Sequence, residues 1–410
     1  MKNCNLCGVK SSSLITFGEY PIVNNLLEVE YVTEPLVYDF SLCICEECGL
    51  AQIERPIEPK FFYTNYATPS GEKPNPHLEI LIENINQLVS KDSRIIEIGS
   101  NDGTFLDKLQ ASGFENISGL EPTMNTYRTS IIKGHNVVDS FLNSQTALEL
   151  IAEGLFEVVI SRQVLEHISD LKEFGSALNL LLCPNGYLII EVPNCLQNIS
   201  NFDFSLWEEH VNYFTPLTLR IFLNSIGFEV VQEWNSIFAG ETLSVIAKKI
   251  NKSLEVSNSV EIESGSIKSE ILMWRKWSRN FENFKSVIQN EIYFISKGKD
   301  LILYGVGARS SVVLNFLGLS NRLKFAIDDS LAKQNKLMPY SKTKIISLSQ
   351  AKLESKKKGG GEVVILLGIN AENEENIIEN NTFVNQNSYI SILPPSKNLP
   401  KAWKQFISDN

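Results

Sequence analysis

The stretch Ile95–Leu106, IIEIGSNDGTFL, constrains the fold more than any other part of the chain. Ile95–Ile98 reads as a buried parallel strand, and Gly99-Ser100-Asn101-Asp102-Gly103 forces a tight turn into a helix that begins near Thr104. Such a turn lets a ligand approach the backbone closely. A dinucleotide fingerprint requires Gly-x-Gly-x-x-Gly, whereas only Gly99 and Gly103 stand here and no third glycine opens the helix. That departure favours a ligand without a pyrophosphate. Glu97, just before the turn, suits the ammonium of an amino-acid moiety, and Glu121, at the end of the next strand, suits a ribose diol. S-adenosylmethionine carries both groups, so Glu97, Gly99, Asn101, Asp102, Gly103 and Glu121, with Gln163 after the fourth strand, form the expected cofactor-binding set.

From residue 91 to about 250 the pattern alternates strand and helix. Strands are expected at 95–98, 117–120, 136–138, 157–161 and 187–192, which makes a doubly wound parallel sheet with crossover helices. Two further β-like runs, Phe228–Glu233 and Leu243–Lys248, flank Gly240 in hairpin spacing. Five parallel strands ending in an antiparallel pair match the sheet of class I methyltransferases. In such sheets the ligand lies at the carboxyl ends of the strands.

The first fifty residues hold Cys4, Cys7, Cys43, Cys45 and Cys48 of the chain's 7 cysteines. Two Cys-x-x-Cys knuckles, Cys4/Cys7 and Cys45/Cys48, provide the four thiolates of a tetrahedral structural zinc, with Gly8 and Gly49 letting each knuckle curl. Cys43 belongs to the strand leading in. With four protein ligands no coordination position stays open, so the zinc is read as structural.

Two loops at the ligand edge carry chemistry. One is Ser161–Ile168, SRQVLEHI, and the other is Phe202–Leu219, FDFSLWEEHVNYFTPLTL. His167 and His210, two of the chain's 4 histidines, lie in them. Imidazole titrates near neutrality, and Glu209 beside His210 is expected to hold its ring and to stabilise the imidazolium. Tyr66 precedes a Ser/Gly/Pro loop, where it would either cover the cofactor or pack between domains.

Residues 258–297 repeat apolar positions at three and four and predict a long linker helix, with Trp274 and Trp277 as packing residues. A second strand, glycine turn and helix begins at Asp300. Gly305-Val306-Gly307-Ala308-Arg309 is half a dinucleotide fingerprint; Arg309 and the backbone N–H groups at this helix start equally suit the phosphates of another nucleotide.

A net charge of -11 argues against a general nucleic-acid binder, and no apolar run of membrane-spanning length or signal-peptide pattern is found. The expectation is a cytoplasmic protein, monomer or homodimer, bound to neither nucleic acid nor membrane.

The Cys-x-x-Cys pair followed by CEECGL, EIGSNDGTFL, Glu121-Pro122, VLEHI, EVPN, the Glu-His loop and YGVGAR together resemble the bacterial sugar C-methyltransferases, over nearly the whole chain. The resemblance implies an α/β protein in parts: residues 1–60 binding zinc, 61–250 a class I (Rossmann-like) domain binding S-adenosylmethionine, 251–297 a linker helix, and 298–410 a Rossmann-like domain holding a nucleotide sugar. It implies His210 as the base, His167 as its companion and Tyr66 near the sugar, while Tyr304, Arg309 and Asn370 face the nucleotide sugar. Where the family commonly reads Tyr-His-Glu-His, this chain has Trp207-Glu208-Glu209-His210, and an indole offers only an N–H donor. The implied reaction is transfer of a methyl group to the carbon beside the ketone of a dTDP-, GDP- or CDP-linked 4-keto-deoxysugar, for a surface polysaccharide or a secondary metabolite. His210 would form an enolate that Tyr66 or His167 stabilises. Alternatives are sugar O- or N-methylation, a non-catalytic zinc-bearing binding protein with a degenerate methyltransferase domain, and a nicotinamide reductase.

Overall fold

The computed structural model describes residues 2–30, 34–58, 76–203, 206–250, 264–356 and 361–409. Tyr66 lies outside them. Apolar β-branched strands of the Ile95–Ile98 type are buried on both faces, as a parallel sheet covered by crossover helices requires. Seven strands form that sheet. In spatial order they are Phe228–Ile237, Glu241–Lys249, Leu182–Pro193, Phe156–Arg162, Ile95–Ile98, Ile117–Leu120 and Val137–Val138, with Glu241–Lys249 alone antiparallel to the rest. Both hairpin strands run further than the sequence pattern predicts, up to a turn closed by Gly240 at φ +108. Register sets the functional edge: Ile98 pairs with Leu120 and with Ser161, so Gly99, Glu121 and Arg162 emerge side by side.

A second parallel sheet follows in the order Ile345–Ile346, Leu323–Ile327, Asp300–Tyr304, Val363–Leu367, Ser388–Ser391. Its strand order reverses beside Asp300–Tyr304, so the turns after that strand and after Val363–Leu367 open a crevice. Gly305 and Gly368 meet there. A Cβ on Gly305 would lie 2.7 Å from the Gly368 carbonyl oxygen, so neither turn tolerates a side chain.

The N-terminal strands Ser12–Pro21, Val37–Ile44 and Ala51–Ile53 form an antiparallel sheet whose fourth strand, Asn212–Tyr213, comes from the Glu-His loop. Leu27–Glu28 pairs with Lys336–Leu337 of the C-terminal part. The helix Ser264–Ile295 buries Ile271, Trp274, Trp277, Phe281, Phe284, Ile288 and Ile292 along one stripe. This stripe packs on Phe40, Phe202 and Trp403, so the expected linker is a spine joined to all parts through one core. Among the described residues no helix is long and apolar enough to cross a membrane.

Trp274 is fully buried in that core. Trp274→Ala is expected to cost about 3–5 kcal/mol of stability, read from the urea midpoint at unchanged slope.

Candidate active site

A cavity of about 1200 Å³ lies where the carboxyl ends of the two parallel sheets face each other. Its wall takes Gly99, Asn101 and Glu121 from the first sheet, Trp207, Glu209 and His210 from the Glu-His loop, Tyr304 to Ser310 from the second sheet, and Val23 and Asn24 from the N-terminal part.

The turn after Ile98 is built from left-handed residues, Gly99 at φ +72, Asn101 at φ 51 and Gly103 at φ +78. A Cβ on Gly99 would stand 2.5 Å from Val164 Cγ2, so only glycine brings the two loops this close. Glu121 accepts from the Asn101 N–H at 2.8 Å, the Thr123 N–H at 2.8 Å and the Thr126 hydroxyl at 3.1 Å. Glu121 lines the cavity, and these three donors leave one of the four acceptor positions of its carboxylate unused. Asp102 and Gly103 do not line the cavity: Asp102 caps Thr104, and Gly103 is packed beneath His135 and Ser130.

Glu97 sits deeper than expected. Its Oε1 accepts from Arg162 Nε at 3.0 Å and Nη2 at 2.9 Å, and at this point Arg162 forms the cavity wall. Burial pushes the Glu97 carboxyl up to about 7 against the pull of Arg162, and its Oε2 is buried with no partner. Gln163, at φ 52, lines the cavity and donates to Thr242 Oγ1 at 3.4 Å.

His167 and His210 meet with ring centroids 5.0 Å apart, and the Trp207 ring lies 3.7 Å from that of His210. The backbone carbonyl of Glu209 lies 2.8 Å from His167 Nδ1, which must therefore carry the proton and leave Nε2 an acceptor. Burial lowers His167 to about 4, so it is neutral at pH 7. The Glu209 carboxylate, expected beside His210, instead accepts from Asn24 Nδ2 at 2.8 Å. Glu208 is buried and accepts from the Val23 N–H at 2.7 Å and the Tyr38 hydroxyl at 2.9 Å. Trp207, where the family's tyrosine is replaced, and Glu166, which the sequence reading passed over, join this group. Trp207 Nε1 is a buried donor with no partner, and both oxygens of buried Glu166 are likewise without one. An acid inside the apolar run Val164–Ile168 was the visible sign of Glu166.

On the second sheet Arg309 departs from its expected role. Its Nη2 donates to both Asp203 carboxylate oxygens at 2.7 Å and to the Pro394 carbonyl at 2.6 Å, and its Nη1 donates to Asn370 Oδ1 at 2.6 Å. These two predicted residues therefore meet each other, and the guanidinium is spent on Asp203. Tyr304 donates to Asp329 at 2.8 Å, and burial is the main cause pushing its phenol up. Among the described residues Lys333 is the other cation on this wall, 2.7 Å from the Val306 carbonyl and 3.4 Å from Asp328.

The four knuckle sulfurs gather as expected. Cys4 and Cys48 Sγ are 3.5 Å apart, and Cys7 and Cys45 Sγ are 3.4 Å apart. A tetrahedral zinc with bonds near 2.3 Å wants about 3.8 Å along each edge, so the set fits the ion. Each knuckle makes the same turn: the Gly8 and Gly49 N–H groups donate back to the Cys4 and Cys45 carbonyls at 2.9 and 3.0 Å. Cys43 points elsewhere, to Gln52.

A seven-stranded sheet of this order, with a glycine turn and a carboxylate at its edge, defines an S-adenosylmethionine-dependent methyltransferase. Three family models match in succession: "Putative zinc binding domain" over residues 4–63, "Methyltransferase domain" over 76–233 and "C-methyltransferase C-terminal domain" over 238–394. The chain is 25% identical over 364 residues to the C-methyltransferase NovU of Streptomyces niveus, covering 85% of this chain and 86% of that protein. A ubiquinone biosynthesis O-methyltransferase of Rickettsia akari is 34% identical over 123 residues, 28% of this chain and 48% of that protein. Magnesium protoporphyrin IX methyltransferase from Synechocystis PCC 6803 aligns with 42% of this chain and 81% of its own at 15% identity and a TM-score of 0.34. The chain belongs to the bacterial C-methyltransferase family, with S-adenosylmethionine and zinc as its cofactors.

Glu121→Ala is expected to weaken S-adenosylmethionine binding at least tenfold by calorimetry, since a charged hydrogen bond is worth about 1.5–3 kcal/mol. Cys45→Ser should lower bound zinc well below one ion per chain. It should also lower turnover, because the second knuckle feeds the strand Ala51–Ile53 that pairs with Asn212–Tyr213. Metal analysis and initial rates check both.

Proposed function

We propose that this C-methyltransferase acts on the carbon beside the ketone of a nucleotide-linked 4-keto-deoxysugar, with His210 as the base. The observation that carries this reading is the pair of imidazoles at the centre of a cavity that also reaches the glycine turns of both sheets. A carbon bearing only C–H bonds is not a nucleophile until a neighbouring ketone lets a base remove its proton. His210 takes that proton, and the C–H pair becomes an enolate. The Trp207 indole holds the ring of His210 and carries an uncommitted N–H, so it donates to the forming enolate oxygen. His167 does not supply that hydrogen bond, since its N–H is taken by Glu209 and its other nitrogen is an acceptor. It accepts a hydroxyl of the sugar instead.

S-adenosylmethionine, when bound, supplies an electrophilic sulfonium methyl to the carbanion. Gly99, Asn101 and Glu121 hold the donor at the first sheet edge, and the turn at Gly305–Ser310 with Lys333 and Tyr304 receives the nucleotide diphosphate at the second. Lys333 takes the charge role once expected of Arg309. The span between the two edges supports an acceptor that is itself large and bipartite, as a nucleotide sugar is.

In deuterated water the wild-type enzyme should wash out the proton beside the ketone of an accepted nucleotide keto-sugar. His210→Asn should lose washout and turnover by about 10²–10⁴-fold while calorimetry shows S-adenosylmethionine still bound. A product methylated on oxygen without exchange would refute the reading. Lys333→Ala should raise KM for the sugar nucleotide and leave donor affinity unchanged.

A further inference from the structure

The Glu166 carboxyl is 2% exposed, lies on the cavity wall, and has no hydrogen-bond partner for either oxygen. One of its oxygens and one ring nitrogen each of His167 and His210 lie within 4.8 Å of one another. A buried carboxyl left without a donor is costly in any fold, and here it is placed where a proton arrives. We propose that Glu166 is a positioning residue for the base: its carboxylate is the counter-ion of the imidazolium formed on His210 during each turnover. This rests on His210 as the base of the reaction.

The charges around Glu166 explain how it serves. Burial pushes its carboxyl up to about 8, and the charge of Glu191 pushes in the same direction. Glu191 stays ionised, since Arg162 at 3.8 Å and His77 at 3.6 Å face it. Cys195 faces Glu166 from the helix after the fifth parallel strand, and burial raises its thiol well above the ordinary value, so it adds no charge. His167 is neutral. Glu209 and Glu208 are committed to Asn24, Val23 and Tyr38. His210 is therefore the group whose change of charge Glu166 can answer.

The step balances. Glu166 releases its proton to solvent through the cavity, breaking its O–H bond. The substrate C–H bond breaks, its electron pair stays on the enolate, and the proton binds His210. After methyl transfer the imidazolium returns its proton to the Glu166 carboxylate. Donor and acceptor thus become thioether and methylated ketone, with one proton released per cycle.

The test uses the full-length zinc-loaded protein with carbon-labelled histidine, and Glu166→Gln as an isosteric variant. The His167 and His210 ring signals are identified by their loss in His167→Asn and His210→Asn. In the wild type both should show an inflection near pH 8 as Glu166 ionises beside them, and in Glu166→Gln that inflection should vanish. Folding has its own check: a raised carboxyl stabilises the fold below the unfolded value near 4.5 and loses that contribution as pH rises through 8. Glu166→Gln should therefore melt at or above the wild-type temperature at pH 9. With an accepted keto-sugar, kcat should fall at least tenfold in Glu166→Gln, and Glu166→Asp should recover part of it.

Identical inflections in wild type and Glu166→Gln would overturn the proposal, as would wild-type kcat in the variant. So would a second metal ion per chain, beyond zinc, that disappears in Glu166→Gln, because the three groups would then be ligands. Failure of every keto-sugar to react would instead sink the substrate assignment, while the ring signals would still report on Glu166.

Discussion

The placement of His210 depends on a backbone pairing made far from the sheet that binds the donor. Val211, its neighbour, accepts from the Ile53 N–H at 3.0 Å, and Asn212 and Tyr213 pair with Gln52 and Ala51. Those residues directly follow the second zinc knuckle. Asn5, inside the first knuckle, donates to Asn212 Oδ1 at 2.8 Å, and Asn212 in turn donates to the Ile168 carbonyl at 2.7 Å, one residue past His167. The knuckle residues therefore hold both histidine loops to one small sheet. Loops alone lack the rigidity to fix reacting groups within a fraction of an ångström.

The two histidine loops and the neighbouring strands Ile95–Ile98 and Leu182–Pro193 carry acid in dry places. Glu97, Glu166, Glu191, Glu208 and Glu209 are all at most 5% exposed. Burial pushes Glu97 and Glu208 up to about 7, while Arg162 and His77 hold Glu191 down. Such a set of carboxyls, largely short of cations, disfavours an anion and welcomes a sulfonium. A carboxylate facing an imidazolium there counts for more than it would in water, because charges interact more strongly where the dielectric is low. Lys333 stands on the opposite wall, where a diphosphate would arrive.

Much of this was legible in the residues because local rules and tertiary placement agreed. The knuckles advertise themselves by spacing, the tight turn after Ile98 by Gly99 and Gly103, and the hairpin by Gly240. Partnering was not legible where side chains reach across the fold. Nothing near Arg309 in sequence announces Asp203, more than a hundred residues away, so a cation expected to meet phosphate proved to be a latch. Glu209 was read as holding its neighbour His210, yet adjacent residues seldom face each other, and its carboxylate turned to Asn24. Tandem acids look alike in sequence. The structure separates Glu208, tied to Val23 and Tyr38, from Glu209 only through the N-terminal strands that happen to pack there.

The latch explains why the cavity has a definite width. Asp203 follows the strand Leu182–Pro193 of the first sheet and Arg309 starts a helix of the second, so their contact ties together the two sheets that wall the cavity. A Cβ on Gly240 would fall 2.6 Å from Asp203 Oδ2 and 3.1 Å from Arg309 Nη2, so the hairpin turn is bare where the pair must close. Buried ion pairs often contribute little net stability, since desolvation offsets their attraction. Geometry is what this one supplies. Methyl transfer needs its reactants held in one geometry, and a latch between the two sheets that wall the cavity keeps that cavity at one spacing.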